Sequence, residues 1–292
     1  MAFPTETVYG LGAGVFNEAA VKRIFEAKRR PADNPLIAHI GSLEQLDQLA
    51  AEVKPFARVL IESFFPGPLT LVLKKSEHVP LIATAGLDTI GIRMPKHSLA
   101  QAFLKACGMP VVAPSANISG RPSPTTWKAV YEDLNGRIDC ILQGEATEIG
   151  LESTVVDCTS DRPIVLRLGG VSLSDVQTVS PNVEMGGSTD GTPLRSPGLR
   201  HKHYSPKATV IITEKRDRPQ PTQKSAFIGT SEWGKGFERS YIAKDVTDYA
   251  HTLFEFFREC DREGIETIYC EAVPESGIGA ALMDRIKRAA QG

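Results

Sequence analysis

Between residues 180 and 206 the chain loses all apolar periodicity and becomes rich in Gly, Pro, Ser and Thr. Such a stretch has little apolar surface to bury, so it reads as a linker. It divides 292 residues, more than one small core holds. The expected parts are a large N-terminal domain at 1–179, a linker at 180–207 and a small C-terminal α/β domain at 208–292. Strand-like and helix-like segments interleave irregularly before the linker, which predicts a mixed, twisted α/β sheet rather than a repeating barrel.

In the N-terminal part, residues 3–10 read as a strand entering a glycine turn. Further strands are expected at 36–40, 69–73, 89–94, 111–113, 138–142, 153–157 and 164–168. Helical spacing marks 18–29, 43–51, 55–64, 98–107 and 126–134. After the linker, strands are expected at 208–213, 225–229, 239–243 and 266–271. Tyr249, Leu253, Phe256, Phe257 and Cys260 line one face of a helix, and a last helix covers 278–290.

A net charge of −2 gives no global basic field, so any RNA contact needs a local patch. No apolar run approaches the roughly 20 residues of a membrane span, and the start lacks a signal-peptide pattern. Five widely spaced cysteines without a C-x-x-C read as free thiols of a reducing cytoplasm. The one close histidine pair, His201-x-His203, lacks further ligands at metal spacing, so no metal site is assigned.

The segment Lys28-Arg29-Arg30-Pro31-Ala32-Asp33-Asn34-Pro35-Leu36-Ile37-Ala38-His39 ends a helix on three cations. Cations suit the negative end of a helix dipole. The two prolines also stiffen the turn and fix Arg30, Asn34 and His39 relative to one another, an arrangement that suits a phosphorylated ligand. Arg93 and Arg167 lie inside apolar strands, where each needs a carboxylate or an anionic ligand. Segment 113–123 carries Ser115, Asn117, Ser119 and Ser123 after a strand, which fits a capped turn or a binding loop. Two glycine motifs are weaker. Gly10-x-Gly12-x-Gly14 lacks dinucleotide spacing, and Gly229 to Gly236 meets G-x-x-x-x-G-K but has glycine where a P-loop needs Ser or Thr. No pattern for a protein nucleophile stands out.

Several motifs together resemble the YrdC-like threonylcarbamoyl-AMP synthases. They are Pro4-Thr5-Glu6-Thr7-Val8-Tyr9-Gly10-Leu11-Gly12, Lys28-x-Arg30-Pro31, Asn34-Pro35-Leu36, Pro66-Gly67-Pro68-Leu69-Thr70, Arg93-x-Pro95, Ser115-Ala116-Asn117 and Ser153-Thr154. Residues 197–206, Pro-Gly-Leu-Arg-His-Lys-His-Tyr-Ser-Pro, resemble the linker of the family's long branch, whose members add a small C-terminal α/β domain. Long-branch members usually carry a helix and the start of a strand before the P-T-E-T-V-Y-G segment, and this sequence begins at that segment.

The resemblance implies a YrdC-like catalytic domain and a nucleotidyltransferase. It would form L-threonylcarbamoyladenylate and pyrophosphate from L-threonine, bicarbonate or CO2, and ATP, for tRNA threonylcarbamoyladenosine modification. A downstream threonylcarbamoyl transferase and tRNA are the implied partners, and Mg2+ is expected with ATP without dedicated protein ligands. It also implies a threonine site at Thr7, His39, Arg93, Ala113 and Ser153. The implied nucleotide site comprises Lys28, Arg30, Asn34, Thr89, Ser115, Asn117, Ser123, Arg167 and Tyr204, with Lys28 and Arg30 as catalytic phosphate clamps. The linker from Ser180 to Tyr204, basic at its end, would close over the cleft as a lid. A double-stranded RNA-binding or ribosome-associated module is the alternative.

Overall fold

The computed structural model describes residues 1–186 and 204–291. The N-terminal elements run β1 (Ala2–Phe3), β2 (Gly10–Leu11), β3 (Ala13–Gly14), α1 (Glu18–Lys28), β4 (Ile37–His39), α2 (Leu46–Leu49), α3 (Pro55–Phe64), β5 (Leu69–Lys74), β6 (Thr89–Arg93), α4 (Ser98–Cys107), β7 (Val111–Ala113), α5 (Trp127–Leu134), β8 (Thr154–Asp157), β9 (Ile164–Arg167), α6 (Leu173–Val179) and β10 (Glu184–Met185). The C-terminal elements are β11 (Thr209–Thr213), β12 (Ser225–Gly229), β13 (Arg239–Ile242), α7 (Val246–Glu263), β14 (Thr267–Glu271) and α8 (Ile278–Ala290).

A mixed sheet of order β10-β9-β8-β5-β6-β4-β7-β3 forms the N-terminal domain. Its centre positions the cleft. Strands β4 and β6 run parallel with His39 opposite Arg93, so both polar side chains reach the same end of the sheet. Strand β7 runs antiparallel to β4 and brings Ala113 opposite Ile37. Helix α1 places Val21, Ile24, Phe25 and Lys28 on its buried face, so the spacing that buries three apolar side chains also buries a lysine. The C-terminal domain is a parallel sheet of order β11-β14-β12-β13. It is packed by α7 on β12 and α8 on β11.

The two cores are not separate. Val8 and Leu151 of the N-terminal domain, and Tyr204, belong to the apolar cluster built by α7 and α8. The Tyr204 ring stacks on Phe254 at 5.4 Å.

Four expectations need correction. Residues 3–10 do not form one strand. The Thr5 hydroxyl takes the backbone N–H groups of Thr7 and Val8 and donates to the Val8 carbonyl, folding 4–9 into a tight turn between β1 and β2. Residues 138–142 make a single bridge, Ala2 to Ile141, because their partner β1 is only two residues long. Residues 43–51 split into a 3-10 turn at Leu43–Gln45 and the single turn of α2. The linker is also not structureless from 180. Glu184 and Met185 extend the sheet beside β9, and Gly186 donates to the Val165 carbonyl. Helix α6, unmarked by apolar spacing, begins at a capping box formed by Ser172 and Asp175.

Candidate active site

The cleft encloses about 750 Å³ of non-atom space, its open mouth included. Among its described lining residues, Lys28, Arg30, Arg93, Arg121 and Arg167 are cationic, and Glu152 is the one carboxylate. Outside the lining, Glu6 pairs with Arg93 and Asp133 with the half-exposed Arg121, which leaves Lys28, Arg30 and Arg167 as positive charge that is costly without an anion to meet it.

Arg30 leaves α1 just beyond the residue that ends it, Arg29, which adopts a left-handed φ of 51°. Arg30 Nη2 lies 3.4 Å from the Asn34 and Pro35 carbonyls, while its buried Nε has no partner. Burial lowers its pKa to about 10, and the charge of Arg167 adds to the effect. The buried amide nitrogen of Asn34 and the Ser119 hydroxyl are likewise unpartnered. Lys28 differs. Its Nζ donates to the carbonyls of Ser115 and Asn117 at 2.5 and 2.6 Å and approaches Asn117 Oδ1 at 3.4 Å. Burial, then the neighbouring Arg30, pushes its pKa well down. Ser115 Oγ donates to Asn117 Oδ1, and Asn117 Nδ2 donates to the Ile118 and Arg121 carbonyls. Lys28 therefore supports the 115–121 loop from beneath as well as lining the cleft.

At the sheet end, Arg93 Nη1 donates to Thr7 Oγ1 at 2.8 Å, Nε donates to the Gly67 carbonyl, and Nη2 pairs with Glu6 at 2.7 Å. Glu6 thus balances the charge of Arg93, whose buried Nη2 donates no hydrogen bond within the protein and remains for a ligand. His39 is buried beside it, with the Phe3 ring edge-on at 5.7 Å and Nδ1 3.1 Å from the Ile37 carbonyl. Burial, then the charge of Arg93, lowers its pKa to about 3, so the imidazole is neutral at physiological pH. Ser153 Oγ shares a 2.8 Å hydrogen bond with Thr70 and receives Arg167 Nη2 at 3.3 Å. Arg167 also donates from Nε and Nη2 to the Ser153 carbonyl. Gly169 allows this wall to close, since a Cβ there would stand 2.3 Å from the Glu152 carbonyl oxygen.

The structure gathers Thr7, Lys28, Arg30, His39, Arg93, Ala113, Ser115, Asn117, Ser123, Ser153, Arg167 and Tyr204 around this cleft. Asn34 sits behind the lining and is reached through Arg30. Thr89 is buried at the far end of β6 from Arg93 and takes no place in the lining. Of the lid expected at 180–204, residues 187–203 lie outside the described residues. Glu152 escapes motif reading as a site residue. It accepts from Ser123 Oγ at 2.6 Å and Arg285 Nε at 2.9 Å. Burial favours its neutral form, but the charges of Arg285 and Arg167 hold its pKa below the usual value.

The G-x-x-x-x-G-K segment of the C-terminal domain has no free anion cradle. The backbone N–H groups of Thr230 and Ser231 donate to the Glu271 carboxylate at 2.6 and 2.8 Å, and the Ser231 hydroxyl donates to it as well. Gly229 permits this approach, because a Cβ would lie 2.5 Å from Glu271 Oε2.

Two family models account for nearly the whole chain. The Sua5/YciO/YrdC model, described as "Telomere recombination", matches residues 1–169. The model of the threonylcarbamoyl-AMP synthase C-terminal domain matches residues 171–291. The chain belongs to the threonylcarbamoyl-AMP synthase family, in its two-domain form. Threonylcarbamoyl-AMP synthase of Pyrococcus abyssi is 45% identical over 99% of this chain and 89% of its own length. The Bacillus subtilis enzyme of the same name is 40% identical over 100% of this chain and 89% of its own. The crystal structure of P. abyssi Sua5 complexed with L-threonine superposes with a TM-score of 0.92, at 43% identity and covering 99% and 90% of the two chains.

Proposed function

We propose that this member of the threonylcarbamoyl-AMP synthase family makes L-threonylcarbamoyladenylate from L-threonine, bicarbonate or CO2, and ATP, and releases pyrophosphate. The observation that carries this reading is the convergence of Lys28, Arg30 and Arg167 on one cleft, beside Arg93 and Arg121, whose charges Glu6 and Asp133 balance. Its supporting context is a fold that superposes on a threonine-bound relative.

The threonine amine attacks the carbon of CO2, forming an N–C bond and losing a proton. A carbamate oxygen then attacks the α-phosphorus while the bond to pyrophosphate breaks. This chemistry needs orientation, shelter from water and charge neutralisation rather than a protein nucleophile. In this reading Thr7, His39, Arg93, Ala113 and Ser153 hold threonine, with the Arg93 guanidinium on its carboxylate. Arg30, Arg167, Ser115, Asn117, Ser123 and Tyr204 face the nucleotide, and Lys28 shares its ammonium between the loop and the phosphates. Among the described residues no group of His, Cys, Asp and Glu is arranged to hold a metal, and both oxygens of Glu152 are engaged. Magnesium would arrive on the phosphates of ATP as part of the substrate.

The product would pass to a threonylcarbamoyl transferase acting on tRNA. A cytoplasmic setting fits the free cysteines, and no described helix is long and apolar enough to cross a membrane. The test is pyrophosphate release from ATP and bicarbonate with and without L-threonine. Threonine-dependent release, with threonylcarbamoyl-AMP found by mass spectrometry, is the expected result. Release that ignores threonine would overturn the reading.

A further inference from the structure

Among the fully buried side chains, the two with the largest residue volumes are arginines, Arg258 on α7 and Arg285 on α8. Isolated burial of a guanidinium is costly; both groups reach across to the other domain, Arg285 while also pairing with its neighbour Asp284 at 2.5 Å.

Arg258 Nη2 donates to the Pro122 carbonyl at 2.6 Å and to Asp133 Oδ2 at 3.0 Å, while Nη1 donates to Asp133 Oδ1 at 3.2 Å. The same Asp133 carboxylate receives the Ile118 backbone N–H at 3.1 Å and Arg121 Nη1 at 2.5 Å. Arg285 holds Glu152 at 2.9 Å and the Leu168 carbonyl at 2.8 Å, and Glu152 receives the Ser123 hydroxyl at 2.6 Å. Arg285 also stands over the Tyr204 ring, 5.3 Å from its centroid. Both chains of contacts end on the loop from Ile118 to Ser123, whose Ser119, Arg121 and Ser123 line the cleft.

We infer that Arg258 and Arg285 are positioning residues through which the C-terminal domain fixes the 118–123 loop and the Glu152 wall in their ATP-binding geometry. The C-terminal domain is then a working part of the nucleotide site. Neither arginine lines the cleft; each acts through Asp133, Pro122 or Glu152. The inference rests on the assignment of ATP to this cleft, but its effect on the loop can be read without ATP.

The experiment compares the full-length protein with Arg258→Gln and Arg285→Gln, and with Arg258→Lys and Arg285→Lys should the glutamine variants fail to fold. Amide hydrogen exchange of the ligand-free proteins reads the loop directly. Steady-state pyrophosphate release reads KM for ATP and for threonine separately. The expected result is faster exchange across 118–123 and a KM for ATP raised about ten-fold, the size of one charged hydrogen bond. KM for threonine should stay within about two-fold. A merely structural role would lower the melting temperature and the active fraction without moving the KM for ATP of the folded molecules. Unchanged loop exchange, or an unchanged KM for ATP in folded variants, would overturn the inference. Failure of the wild type to turn over ATP would strike the function proposed for the cleft, while loop exchange would still show whether the two arginines hold the loop.

Discussion

The Lys28 ammonium group stands 2.6 Å from the carbonyl oxygen of Asn117, on the far side of the cleft wall from its own helix. With the bond to the Ser115 carbonyl at 2.5 Å, two of its three donors are held by one loop, while Asn117 Oδ1 at 3.4 Å leaves the third only loosely engaged. Arg30, two residues later, keeps a buried Nε without a partner. Two cations two residues apart are thus committed differently, one chiefly to the loop and one to the cavity.

That difference separates two substitutions. Lys28→Ala would strand two carbonyl groups and destabilise the fold by about 2–5 kcal/mol, besides weakening ATP use. Arg30→Ala should weaken ATP binding by roughly one to two orders of magnitude and change stability by no more than about 1 kcal/mol. Urea unfolding alongside nucleotide titration checks both. Equal losses of stability would show that the two cations share one role.

The side chains assigned to threonine are themselves tightly hydrogen-bonded. Thr7 Oγ1 meets Arg93 and Thr5, and Ser153 Oγ meets Thr70 and Arg167. These bonds fix the two hydroxyl oxygens in place and leave each a lone pair, which a substrate hydroxyl would meet and which goes unpaired when that hydroxyl is missing. The expected kcat/KM for 2-aminobutyrate is therefore lower than for threonine by at least about 100-fold. Comparable turnover of the two amino acids would show that the pocket does not read the hydroxyl.

His39 gives a pH signature in stability. Its pKa falls from 6.5 to about 3 on folding, so between these values the unfolded chain binds a proton that the folded one refuses. Stability must then decline as pH drops below about 6.5, by up to about 1.4 kcal/mol per pH unit from this group. Urea midpoints at pH 7 and pH 5 should fall further apart in the wild type than in His39→Gln. An identical pH dependence in the two proteins would remove His39 as the source.

In the C-terminal domain the Glu271 carboxylate fills the backbone cradle of Thr230 and Ser231. Lys235→Ala should accordingly leave ATP affinity unchanged within about two-fold. Glu271→Ala should destabilise the protein by about 2–4 kcal/mol by leaving those N–H groups unpaired. Loss of nucleotide binding in the lysine variant would reinstate a nucleotide site in this domain.

Much of the molecule is legible in the order of its residues. Apolar spacing marks α1, α3, α4, α5 and α8 within a residue or two of their observed ends, and the buried face of α7, because helix period and burial are local properties. The composition change after Ser180 separates the two sheets, and the concurrence of short polar motifs names the family and most of the cleft. Local reading failed where side chains compete with the backbone, as at Thr5, or where a strand depends on the length of its partner, as at Ile141. It also could not distinguish Lys28 from Arg30, since their donors find partners 87 residues away in one case and within five in the other. Glu152, Arg258 and Arg285 stand outside every motif. Their meaning comes from contacts 125 to 136 residues apart in sequence, formed only when the C-terminal domain docks. An arginine on the buried face of a helix signals that a partner must exist, because a buried charge requires one. Only the tertiary structure decides that the partner is the wall of the cleft.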